Sequence, residues 1–404
     1  MVGAIHLGEV IANDGSRFDL QLKGAGPTAF SRRGDGFSAL GPVLREYLVS
    51  EFMHAAGIPT TRALAAVKTN QIVYREIPQE GAVFTRVAKS HIRIGSFQYF
   101  LAKKDFENLK ILLNYCIHRH YPEIISEAKN PGDHAVLFLR KVIEVQVELV
   151  SYWMSIGFIH GVMNTDNVSI SGETLDYGPC AFMDYFNYDQ VYSFIDRDGR
   201  YRYSNQPRIL AWNLARLADC LIPILCEERQ IGEEEAIVIL NNELEVVNQH
   251  FEQKLLQKLS RKLMIEHSTI EFQKNLISEM LEVMHTNHLD FTSTFRIFSK
   301  KLNNESIVID PALDSIFMNW SQEIVKSQKP ISEITAQMDL VNPLYIPRNH
   351  LIQKAIELAE QNDFSFYHQL LKVLGRPFID QPDLEIFATA PTKDEIIRNT
   401  FCGT

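Results

Sequence analysis

His160-Gly161-Val162-Met163-Asn164-Thr165-Asp166-Asn167, followed by Leu175-Asp176-Tyr177-Gly178, is the stretch on which the reading of this chain turns. Asn167 and Asp176 are hard oxygen donors that suit Mg²⁺ or Mn²⁺. Such ions take one or two protein carboxylates and complete their shell with phosphate oxygens. Asp166, directly before Asn167, can accept a proton; Val162 cannot. Taken singly, the His-Gly and Asp-Tyr-Gly strings are compatible with ordinary turns, so their weight depends on what surrounds them.

Upstream, residues 1–100 read as strands around one helix. His6 to Ile11 is a strand candidate and Asn13-Asp14-Gly15-Ser16 a turn. Arg17 to Lys23 alternates, with Phe18, Leu20 and Leu22 on one face and Asp19, Gln21 and Lys23 on the other. That pattern predicts a hairpin that buries the apolar face and points Lys23 away from it. A loop rich in glycine and arginine, Gly24 to Gly36, follows. A helix is expected from near Pro42, with Leu44, Leu48 and Phe52 on one face and Gly57 ending it. Two short strands are expected around Asn70 and a third over Ala82 to Val87. From about residue 105 the pattern turns helical. Phe138 to Ile156 is the strongest helix, residues 158–205 a loop with strand-like pieces, and Pro207 opens a helix carrying Leu210, Leu214, Leu217 and Leu221. Long amphipathic helices fill 230–404. These expectations amount to an α+β chain with a small β-rich unit (1–104), a central helical unit holding the opening motifs (105–230) and a helical C-terminal region (231–404).

The 404 residues are 46% hydrophobic and 22% charged, globular values, with a net charge of -10. An acidic chain does not favour nucleic acid as a partner. No run of ~18 apolar residues is evident, so no membrane span is expected, and the first residues lack a signal-peptide pattern. Five cysteines at 116, 180, 220, 226 and 402, odd in number and widely spaced, argue against a disulfide framework or a zinc site built on them. A reducing, cytoplasmic setting is the simplest expectation.

A small β-rich unit before a large helical one is the layout of protein kinases. Kinase-like folds open their catalytic loop with His-x-Asp, place an Asn five residues after that Asp, and follow with Asp-x-Gly, the Asn and second Asp holding metal. His160, Asn167 and Asp176-Tyr177-Gly178 fit that spacing, but Val162 stands where the kinase base belongs. Asp166 is the nearest carboxylate that could replace it. Lys23 on its strand and Glu46 on the next helix match the kinase phosphate lysine and its partner; a solvated lysine and a surface glutamate are the alternative. Ser31-Arg32-Arg33-Gly34-Asp35-Gly36, Arg86 and Arg93 add guanidinium forks and a pliable loop suited to phosphate.

Together these strings resemble the selenoprotein O family. The matching stretches are LQLKGAGPTAFSRRGDG (20–36), REYLVSEFMHAAGIPTTRAL (45–64), FTRVAKSHIRIGSF (84–97), GFIHGVMNTDNVSI (157–170), LDYGPCAFMD (175–184), GRYRYSNQP (199–207) and the terminal RNTFCGT. The resemblance implies a kinase-like two-lobe fold in which ATP sits inverted, with its γ-phosphate innermost. It also implies transfer of AMP to Ser, Thr or Tyr hydroxyls of protein substrates, or of UMP from UTP. Carried over by motif, Lys23 would bind phosphate with Glu46 orienting it. Asp35, Gly36, Arg86 and Arg93 would hold the nucleotide, and Asn167 and Asp176 would hold Mg²⁺ or Mn²⁺. Asp166 would be the base.

The chain departs from the family pattern in two places. Family members carry a further stretch that includes a Gly-Asp-Gly-Arg-Ala turn just before Leu-Gly-Glu, here Leu7-Gly8-Glu9, and Met1, Val2 and Gly3 stand where part of that turn belongs. The N-lobe is therefore read as truncated, which leaves a catalytically silent kinase-like scaffold as an alternative; a small-molecule phosphotransferase is a third reading, opposed by Val162. Cys402 matches a family cysteine whose partner position is Tyr192 here, with Cys180 the nearest substitute.

Overall fold

The computed structural model describes residues 4–29, 31, 34–75 and 77–401. Its N-terminal part is an antiparallel sheet of β1 (Ala4–Ile11), β2 (Arg17–Lys23), β3 (Ser38–Ala39), β4 (Arg62–Tyr74) and β5 (Pro78–Ala88), with α1 (Leu40–Ala55) between β3 and β4. β5 is central. It pairs with β4 along one edge and with β2 and β3 along the other, and β1 lies outside β2.

Two features of this sheet differ from expectation. The alternation in β2 is present, but the buried face is the polar one: Asp19, Gln21 and Lys23 are buried, while Phe18, Leu20 and Leu22 are half-buried. Polar side chains tolerate burial when paired, and the lysine and its neighbours face ionic partners described below. Asn70 does not separate two strands. β4 runs through it as one 13-residue strand, with Asn70 at φ 58° where the β4–β5 register slips between Lys68 and Ile72. Asparagine tolerates that left-handed backbone, so a turn signal became a bulge.

The helical part follows as α2 (Ile94–Ala102), α3 (Phe106–His120), α4 (Glu123–Glu127) and α5 (Asp133–Ser155). The short strands β6 (Phe158–Ile159) and β7 (Ala181–Phe182) pair antiparallel and frame the opening motifs. Then come α6 (Gln206–Arg229), α7 (Glu233–Leu244), α8 (Val247–Lys262), α9 (Ile270–Thr286), α10 (Phe291–Asn303), α11 (Asp314–Val325), α12 (Ile331–Val341), α13 (Asn349–Glu360) and α14 (Ser365–Leu374). The chain is thus α+β. One segment, Tyr203–Arg229, does contain a window long and apolar enough to cross a membrane, contrary to the sequence expectation. Here its Leu210, Leu214, Leu217 and Leu221 are buried, with α5 and α7 packed beside it.

α1 is the hinge of the architecture. Leu44, Leu48 and Phe52 are buried as expected, but so are Arg45, Glu46 and Ser50, and 11 of its 16 residues in all. Phe52 meets Phe182 edge-on at 5.1 Å, tying α1 to the β6–β7 pair. On another side α13 and α14 return to cover it. Arg45 donates to Asn349 Oδ1 (3.2 Å) and to the Cys180 carbonyl (3.3 Å).

Candidate active site

The polar face of β2 and the same face of β5 look onto α1 and the 175–178 loop. Register places Gln21 opposite Arg86, so both side chains share the face that carries Lys23. Lys23 Nζ donates to Glu46 Oε2 (2.8 Å) and to Asp176 Oδ1 (2.6 Å). Arg86, fully buried, donates through Nε to Glu46 Oε1 (3.0 Å) and through Nη2 to both Glu46 Oε1 and Asp176 Oδ1 (3.0 Å). Two cations and two carboxylates therefore interlock. Burial alone would raise the Asp176 pKa, but Lys23 and Arg86 hold the carboxyl well below its usual range. Burial likewise opposes charge on Arg86, and Glu46 and Asp176 keep it protonated.

Asp176 has φ 69°, a left-handed conformation that costs an L-residue about 1–2 kcal/mol. Its loop is held on several sides. His160 Nε2 donates to the Leu175 carbonyl (2.9 Å), the tautomer set by Val162 N–H pointing at Nδ1. Burial pushes the His160 pKa down, so this histidine is a neutral strut. The Tyr177 hydroxyl meets Thr60 Oγ1, and Thr61 N–H donates to the Thr174 carbonyl (3.0 Å).

Asn167 ends a short 3₁₀ turn, Thr165–Asn167. Its amide nitrogen donates to the Val162 carbonyl (2.9 Å), which leaves its oxygen as the donor for a cation. Asp176 meets its two cations through Oδ1, leaving Oδ2. These are two hard oxygen donors, a set that fits Mg²⁺ or Mn²⁺ completed by phosphate oxygens. Asp166 N–H is capped by Asn164 Oδ1 (3.0 Å). Arg93 forms a backbone bridge with Ser169, and Ile94 N–H donates to the Val168 carbonyl (3.1 Å), so the arginine lies along the segment that follows Asn167. Burial lowers the Arg93 pKa to about 10, against the pull of Asp176 and Asp166.

The structure thus gathers Lys23, Glu46, Arg86 and Asp176 by direct contact, and Arg93 interacts with the charges of both Asp176 and Asp166, the residue next to Asn167 in sequence. Asp35 stands apart: its carboxylate takes Arg75 Nη1 (2.8 Å) and the Phe37 N–H (3.1 Å). Gly36 has a conformational role. At φ 71°, a Cβ there would sit 2.1 Å from the Gly26 carbonyl oxygen, so only glycine lets the two sides of this loop meet. Arg32, Arg33 and Cys402 lie outside the described residues. Cys180 is buried, and burial pushes its thiol up to about 12, so it is not a reactive partner as it stands.

Sequence reasoning passed over Gly95. A Cβ there would stand 2.2 Å from Asp166 Oδ1, so the first turn of α2 lies directly against that carboxylate. Its signal was the glycine inside Arg93-Ile94-Gly95-Ser96-Phe97. Glu173 was also unremarked. It is buried, accepting from Lys89 N–H and Ser171 Oγ (both 2.9 Å), and burial lifts its pKa to about 7. Because the folded pKa is raised, its contribution to stability is full below the unfolded value and is lost as pH rises through 7. Glu173→Gln is expected to leave stability nearly unchanged at about pH 5 and to raise it by on the order of 2 kcal/mol at about pH 8. Denaturant unfolding at the two pH values checks this; an equal effect at both would contradict it.

The model of the family described as protein adenylyltransferase SelO matches residues 3–375. The chain belongs to the SelO family. Three relatives named protein nucleotidyltransferase YdiU show the extent of the likeness. The protein of Bradyrhizobium diazoefficiens is 47% identical over 99% of this chain and 82% of its own length. That of Methylorubrum populi is 48% identical over 99% and 82%, and that of Halalkalibacterium halodurans 45% over 99% and 80%. SelO membership makes the chain an enzyme of the nucleotidyltransferase kind, and none of these comparisons supports the silent-scaffold alternative.

Proposed function

We propose that this SelO-family chain transfers AMP from ATP, or UMP from UTP, to Ser, Thr or Tyr hydroxyls of protein substrates, using a kinase-like two-lobe arrangement. The observation that carries the reading is the Lys23–Glu46–Arg86–Asp176 cluster, linked to Asp166 through Arg93, while Val162 occupies the usual base position.

Lys23, Arg86 and Arg93 supply the positive charge that would meet the triphosphate, with its γ-phosphate innermost; Glu46 orients the first two. Gly36 shapes the neighbouring loop for nucleotide contact, with Asp35 bracing it. Asn167 and Asp176 would hold Mg²⁺ or Mn²⁺, which when bound neutralises phosphate charge. Asp166 takes the proton from the substrate hydroxyl as its oxygen bonds to the α-phosphorus; the bond to the bridging oxygen breaks and pyrophosphate leaves. Charge building on the departing pyrophosphate is offset by the fixed cations, which need no reorganisation.

Protein labelled from α-³²P-ATP but not from γ-³²P-ATP would support this reading. Absence of α-label with either metal ion would sink it. Asp166→Asn, nearly the same shape, is expected to lower the transfer rate by ~10²-fold with little change in nucleotide affinity, the size typical of a lost general base. An unchanged rate would remove Asp166 from that role.

A further inference from the structure

His6, Asp19 and His91 converge on the outer part of the same sheet face. Their candidate ligand atoms all lie within 4.8 Å of one another. The register explains the convergence. Glu9 pairs with Asp19 and Gly8 with Leu20, but His6 pairs with Gln21, because Leu7 is an extra residue in β1. In an unbroken ladder His6 would oppose Leu22 and project from the other face; the bulge turns it toward Asp19. Re-aiming a side chain is what such bulges do.

His91 supplies the second observation. Its side chain is 7% exposed, and neither ring nitrogen has a hydrogen-bond partner. Asp19 Oδ2 is 3.5 Å from Nδ1, beyond a good bond, and is already satisfied by the His91 N–H (3.0 Å). A buried imidazole with Nε2 unused and Nδ1 met only by this long contact is costly unless something else binds it. The His6 ring lies edge-on to it, centroids 6.5 Å apart.

We propose that His6, Asp19 and His91 form a binding site for a divalent transition ion, of which Zn²⁺ is the type, distinct from the Asn167–Asp176 donor pair. Two imidazoles and one carboxylate are a borderline donor set that prefers Zn²⁺ or Co²⁺ to Mg²⁺ or Ca²⁺. The half-open His6 side leaves room for water as a further ligand. Burial pushes the His91 pKa down to about 4, so its ring is neutral and ready to ligate at neutral pH. Burial would raise Asp19, but hydrogen bonds from His91 and Arg119 bring it to about 2. Arg119 sits on the other oxygen, Oδ1 (2.6 Å), and its own charge is shared with Glu9. The ion would staple β1, β2 and the segment after β5 together, two residues before Arg93.

The test uses the tag-free, chelator-stripped full chain, titrated with Zn²⁺ by calorimetry and with Co²⁺ by visible absorption. One equivalent should bind, with a Co²⁺ d–d spectrum and a rise in melting temperature on Zn²⁺ addition. His91→Ala and His6→Ala should each weaken binding at least about tenfold, while Asp176→Asn should leave it unchanged. His6 is exposed, so His6→Ala reports on binding even if His91→Ala disturbs the fold. No bound equivalent, binding unaffected by both histidine variants, or binding lost in Asp176→Asn would overturn the proposal. None of these readouts depends on nucleotide transfer.

Discussion

Asp176→Ala is expected to lower transfer of the α-phosphoryl label by about 10³-fold, at the upper end of what single electrostatic contacts supply. The change removes a proposed metal donor and also the carboxylate that fixes the tip of Lys23. The fold should persist at reduced stability: Lys23 and Arg86 both keep Glu46 as a partner, while the cluster is left with an excess buried positive charge. The comparison is initial rates for the variant and the parent chain at saturating ATP with Mg²⁺ and with Mn²⁺, alongside circular dichroism. A rate within tenfold of the parent would mean that the metal donors lie elsewhere.

Arg86→Met is expected to cost about 3–5 kcal/mol of stability, the range for removing one side of a buried ion pair. Arg86 is wholly enclosed and serves Glu46 and Asp176 at once. Methionine fills similar space without charge, leaving Lys23 as the cation bonded to both carboxylates, with Arg93 adding to the balance on Asp176. The retained lysine argues for the lower part of the range. Denaturant midpoints measure it, and a loss under about 1 kcal/mol would show that the pair of acids is satisfied without the guanidinium. Nucleotide affinity should fall as well, since Arg86 fixes Glu46 and Asp176 and adds its positive charge behind the triphosphate in the proposed mode.

Local signals carried much of the chain. Asn167 and Asp176 stood out as candidate donors because each sits in a short ordered motif, and the helix over α1 was readable because Leu44, Leu48 and Phe52 repeat at helical spacing. What escaped was set by tertiary partners. β2 reads as an amphipathic strand with its apolar side inward, yet Asp19, Gln21 and Lys23 are the enclosed side chains, because ionic partners from α1, β5 and the Asp176 loop arrive from distant sequence. Glu46 was assigned to Lys23 alone; that Arg86 shares it depends on the β2–β5 register, which one-dimensional pattern does not state. His6 faces Asp19 only through a bulge, and a single extra residue leaves no compositional mark. Asp35 matched its motif but is occupied by Arg75, a residue no motif contained.

Arg45 and Glu46 are adjacent on α1 yet serve different partners: one grips the start of α13, the other the buried cations Lys23 and Arg86. Adjacent residues on one rigid turn cannot be displaced independently. The ordering of the C-terminal helices and the ordering of the charge cluster therefore belong to one cooperative unit. Asn349 is thus linked through Arg45 to the turn of α1 that also carries Glu46, the partner of Lys23.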